Sequence, residues 1–217
     1  MDEPGINRVT VEEVTEGTPP DKYHRFLSQN NAIWPHEKYL NIWLMSETKY
    51  PKFWNSITKL CVPKYRLGSE TLPGLSLPPV PSTWVPKVEQ IGILFRMSTF
   101  QYFQRSIDAT AERELVTCIG NYLGLLDTWK INNSNVNDQC NDTFAYGIVN
   151  NNGSLGTNSS WSKEVGSYRF LSENIMDDPT GTHRSVSKDQ ALRMYWVLKN
   201  CAGRSMWQSD FALTGKE

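Results

Sequence analysis

A chain of 217 residues, 39% of them hydrophobic and 21% charged, has the composition of one large globular domain or of two small lobes around a cleft. Its 22 basic and 23 acidic residues leave a formal net charge of −1, which supplies no field for nucleic acid or anionic lipid. No apolar run reaches the roughly 18 residues of a membrane-spanning helix, and the four cysteines form no Cys-x-x-Cys pair of the kind that builds a structural zinc site.

The start, Met1-Asp2-Glu3-Pro4-Gly5, is polar and is no signal peptide; it fits a chain whose export signal has been removed. Val9 to Val14 reads as a weak strand and Asp21 to Gln29 as a short helix. Tyr39-Leu40-Asn41-Ile42-Trp43-Leu44-Met45 is short, aromatic and β-prone, which predicts a buried strand. Residues 46–87 read as irregular. Within them Leu72 to Pro81 holds too many prolines, each without a backbone donor, to be anything but a surface loop. Ile91 to Met97 is a second strand.

Over residues 108–126 the period changes. Ala109, Leu115, Ile119, Tyr122 and Leu123 recur near helical spacing, and Gly124 is placed to end the helix in a left-handed conformation. Residues 130–160 are rich in Asn, Ser and Gly and read as loop-dominated. Asn-x-Ser/Thr sequons begin at Asn132, Asn141, Asn152 and Asn158 and matter only on a eukaryotic secretory route. Ser187 is a good N-cap for a second clear helix to Lys199, with Ala191, Met194, Tyr195 and Leu198 as its apolar stripe.

Residues 117–129 read Thr-Cys-Ile-Gly-Asn-Tyr-Leu-Gly-Leu-Leu-Asp-Thr-Trp. This segment resembles the zinc helix of the pappalysin-like (cytophagalysin) metzincins, H-E-x-G-H-x-L-G-L-x-H-T-[FW]. Gly120, Leu123, Gly124, Leu125, Thr128 and Trp129 keep its apolar and glycine pattern. Thr117 stands for the first His, Cys118 for the Glu, Asn121 for the second His and Asp127 for the third. Two further blocks follow the family's order. Tyr39-Leu40-Asn41-Ile42-Trp43 is similar to its [KR]-Y-[LI]-N-[IV]-W strand. Glu173-Asn174-Ile175-Met176-Asp177-Asp178, with Ser187-Lys188-Asp189-Gln190-Ala191-Leu192-Arg193-Met194, is similar to its N-[IY]-M-D-Y…F-T-x-x-Q-x-x-R-M. Residues 117–129 alone also fit an ordinary amphipathic helix that stops at a glycine; three ordered blocks favour the family.

The spacing itself has a physical sense. Positions 117 and 121 share one helix face, and a sharp turn at Gly124 returns position 127 towards the same point. Zinc takes imidazole, thiolate or carboxylate donors at about 2.0–2.3 Å. Thr117 and Asn121 are poor donors, Asp127 alone remains plausible, and Cys118 cannot act as the general base that Glu provides.

The resemblance implies an α/β (α+β) fold with a twisted, mostly parallel sheet, two long helices, and an irregular lower subdomain carrying a Met-turn and a C-terminal helix. It implies a single domain over residues 1–217, with an upper part to about residue 124 and a lower part from about 125. Met176 would be the methionine beneath the metal site, and Asp178 replaces the tyrosine credited with steadying the transition state. The site set is therefore Thr117, Asn121 and Asp127 with Met176 and Asp178, no catalytic residue, and no cofactor where active relatives hold zinc. The expected partner is a peptide or protein in the cleft, with no nucleic acid and no transmembrane segment. The location implied is extracytoplasmic, secreted or held by a lipid anchor on the precursor, as in exported bacterial lipoproteins. The alternatives are a divergent metal-dependent hydrolase built on Asp127, and a surface scaffold with a vestigial cleft. A disulfide between Cys140 and Cys201 is implied by relatives that tie the loop after the zinc helix to the C-terminal part, with Cys61 an equally available partner. His24, His36 and His183 lie outside the motif and read as surface or structural residues, and a Cys118–His183 dyad is the remoter possibility.

Overall fold

The structure is a computed structural model, and it describes residues 20–45, 56–58, 91–96, 110–131, 138–144, 146–148, 162–165, 168–177, 184–200 and 204. The expected strand Val9 to Val14, the proline-rich loop Leu72 to Pro81, and Asp178, His183, Cys61 and Cys201 lie outside the described residues.

Helix α1, Pro20–Gln29, starts with proline at its first position, where no intrahelical donor is needed. It ends at Asn31, whose φ of 53° lets Ala32 and Asn31 return their N–H groups to the carbonyls of Leu27 and Ser28. Strand β1 is Ile42–Met45, β2 is Ser56–Thr58 and β3 is Ile93–Arg96. They form one sheet in the order β1-β3-β2, with β1 parallel and β2 antiparallel to β3. The strand expected from Tyr39 therefore begins at Ile42. Strand β2 sits inside the segment read as irregular, because three residues on a sheet edge are too few to leave a period in the sequence.

The entry to β1 is pinned by Asn41. Its side chain accepts from the Trp34 N–H at 2.9 Å and donates to the Trp34 carbonyl at 2.8 Å, while its own carbonyl accepts from Ile93 at 2.8 Å. This leaves no room opposite. A Cβ on Gly92 would lie 2.6 Å from that carbonyl and 2.7 Å from the Trp43 ring.

Helix α2, Thr110–Tyr122, is the helix read at 108–126, and it packs on β2 and β3. Ile91, Ile93, Cys118 and Tyr122 form the buried cluster between helix and sheet, with Leu40, Leu44, Leu115, Ile119 and Leu123 around it. The helix stops as Gly124 predicts. Gly124 has φ +89°, its N–H returns to the Asn121 carbonyl and that of Leu125 to the Gly120 carbonyl, each at 2.9 Å.

Beyond it lie β4 Trp129–Ile131 and β5 Tyr146–Ile148, paired in parallel, and the antiparallel hairpin of β6 Ser162–Val165 with β7 Tyr168–Leu171. Residues 130–160 thus carry two short strands where loop was expected, and the hairpin has no counterpart in the sequence reading. Phe170 bridges the two sheets, its ring centroid 5.7 Å from that of Tyr146 and 4.5 Å from that of Phe144.

Helix α3, Lys188–Asn200, opens with a capping box. The Gln190 N–H donates to Ser187 Oγ at 3.2 Å and the Ser187 N–H to Gln190 Oε1 at 3.0 Å. Its buried face is not the apolar stripe read from the sequence. Gln190, Arg193 and Val197 are buried, whereas Ala191 and Tyr195 are exposed. The two polar residues are buried because Gln190 exchanges hydrogen bonds with the Asn174 side chain and Arg193 donates to the Gly124 carbonyl, a use that apolar periodicity does not register.

Candidate functional site

The turn after β7 lies against α2. Met176 is fully buried, and a Cβ added to Gly120 would be 2.5 Å from its sulfur. Glycine at 120 is the residue that allows this approach. One helical turn earlier, the Thr117 hydroxyl donates to the Ile175 carbonyl at 2.9 Å. One residue after Gly120, Asn121 Nδ2 donates to the Leu125 carbonyl at 3.1 Å. The side chains at 117 and 121 are thus occupied in tying α2 to the Met176 turn and to its own exit.

That turn is held by a closed polar network. Asn174 and Gln190 exchange two side-chain hydrogen bonds, Nδ2 to Oε1 at 2.7 Å and Nε2 to Oδ1 at 3.0 Å, and Asn174 Oδ1 also accepts the Met176 N–H at 2.9 Å. The buried Asp177 carboxylate accepts from the Thr128 hydroxyl at 2.8 Å and from the Asn174 N–H at 3.2 Å. The Thr128 N–H donates to the Met176 carbonyl at 3.1 Å. Such a network fixes one geometry, because breaking any member strands a buried polar group.

Asp127 is exposed on the segment that leaves Gly124, two residues before β4, and Trp129 is partly buried. Cys118, the residue that the resemblance sets at the general-base position, is 3% exposed inside the apolar cluster against β3. His36 sits against its neighbour Glu37, Nε2 to Oε1 at 3.3 Å, and His24 lies on α1.

The donor chemistry at positions 117 and 121 does not fit zinc. A hydroxyl and an amide are weak ligands, and here each is engaged with a backbone carbonyl. Among the described residues, no group of three or more His, Cys, Asp or Glu side chains is placed to hold a metal ion.

The loop 138–143 docks on the start of α3. The Asn141 N–H donates to the Asp189 carboxylate at 3.0 Å, and the Asp189 N–H donates to the Asp142 carboxylate at 2.9 Å. Burial raises the Asp142 pKa, but the Ser187 hydroxyl and the backbone N–H groups of Asp189, Asp142 and Lys188 outweigh it and hold the carboxyl below its ordinary value. Cys140 is a buried, free thiol, so the bridge to Cys201 is not formed. Burial first, then the negative charge of Asp138, pushes its pKa up to about 12 against the pull of Arg193; Asp142 and Asp189 add to the rise. Sequence reasoning missed the buried Asp138, which accepts the Cys140 N–H at 3.3 Å and bonds the Thr143 hydroxyl. Its only signal was an Asx-turn residue two positions before a cysteine.

Among the described residues, no helix is long and apolar enough to cross a membrane. Compared with known proteins, the chain matches no family model, no curated protein and no solved structure.

Proposed function

We propose that this chain is a noncatalytic binding protein built on a metzincin-like frame, holding an extended peptide or a protein segment in the cleft beside α2. The observation that carries the reading is the use made of positions 117 and 121. Their side chains donate to the carbonyls of Ile175 and Leu125 and so spend their polar groups on the frame. Gly120, Gly124, Met176, Asn174 and Gln190 support it from the structural side, since each has a defined packing or hydrogen-bonding task there. A frame of this kind keeps its shape without a metal, and main-chain pairing along a sheet edge then gives affinity without chemistry. On this reading Asp127 belongs to the rim of the cleft, no zinc is resident, and the site is extracytoplasmic.

The test has two arms. Elemental analysis of the dialysed protein is expected to show no stoichiometric zinc, and unfolded protein substrates are expected to remain uncut. A display screen of random peptides, followed by fluorescence anisotropy, is expected to return saturable binders. Stoichiometric zinc with peptide cleavage would overturn the reading in favour of a hydrolase using Asp127, and a screen without binders would favour a scaffold with a vestigial cleft.

A further inference from the structure

We draw no further inference here: the strongest candidate, the side-chain cluster of Asp138, Asp142 and Asp189 beside the buried Cys140 thiol, where loop 138–143 docks on the start of α3, carries nothing, because its hydrogen bonds are made within the cluster and to backbone groups at the helix N-terminus, and nothing among the described residues points to a ligand there.

Discussion

A double-mutant cycle between Gly120 and Met176 probes the contact on which the site is built. A Cβ at position 120 would lie 2.5 Å from Met176 Sδ, with Ile175 Cδ1 and Leu125 Cδ1 each at 3.5 Å. The sulfur is in mid-chain and the side chain is fully buried, so it cannot swing aside cheaply. Overpacking of this sort costs about 1–3 kcal/mol. Replacing glycine by alanine inside a helix returns about 1 kcal/mol. Gly120→Ala alone should therefore destabilise by up to about 2 kcal/mol, and Met176→Ala alone by about 2–5 kcal/mol through its cavity. Together the clash disappears and the new methyl enters the cavity. Gly120→Ala in the Met176→Ala background should then stabilise by about 1 kcal/mol, a reversal of sign and a coupling of about 1–3 kcal/mol. Urea unfolding of the four proteins with a common m-value measures all of these. If Gly120→Ala has the same effect in both backgrounds to within about 0.5 kcal/mol, Met176 does not lie beneath α2.

Gly124→Ala should be the more damaging glycine change. The φ of +89° costs an L-residue about 1–2 kcal/mol, and the added Cβ would meet Val197 Cγ2 at 2.5 Å, so a total of about 2–4 kcal/mol in urea melts is expected and a loss under about 0.5 kcal/mol would contradict the turn. Asp142 has a depressed pKa, so its contribution to stability is present above the ordinary carboxylate pKa of 3.8 and is lost as pH falls through the lower folded value. Asp142→Asn should flatten the acid limb of a melting-temperature profile, and identical acid limbs would refute this. Cys140, with its pKa raised from 9.0 to about 12, should resist iodoacetamide in the native protein at about pH 8 and react once unfolded. The same shift favours the folded state below pH 9 and is lost as pH rises towards 12. Native labelling at the rate of an unfolded thiol would show that the site is open.

What was legible in the sequence was the part governed by local rules. Gly124 ends α2 and Ser187 caps α3 because a left-handed turn and an N-cap each need a particular residue at one position. Ile42 to Met45 and Ile93 to Arg96 are strands because β-prone apolar residues stood together. Ser56–Thr58 and the Ser162–Leu171 hairpin were not legible, since their pairing depends on partners rather than on their own pattern. On α3 the apolar stripe misled, because Gln190 and Arg193 are buried for their hydrogen bonds, to Asn174 and to the Gly124 carbonyl. Thr117 and Asn121 stand out only through the resemblance to the zinc-helix motif, and only the structure gives each a carbonyl to hold. The buried Arg204 carried no local signal, as the Tyr122 carbonyl to which it donates is 82 residues away.

A zinc titration by isothermal calorimetry tests the proposal of a metzincin-like frame without metal chemistry. The wild-type chain should bind no zinc. The triple variant Thr117→His, Asn121→His and Asp127→His should place three imidazoles around one point, bind zinc tighter than about micromolar, and melt at a higher temperature when zinc is added. Adding Cys118→Glu should not restore peptidase activity, since that position faces the apolar cluster. A triple variant that folds, as judged by a cooperative urea transition, and yet binds no zinc would show that positions 117, 121 and 127 do not converge, and the metzincin-like reading would fall.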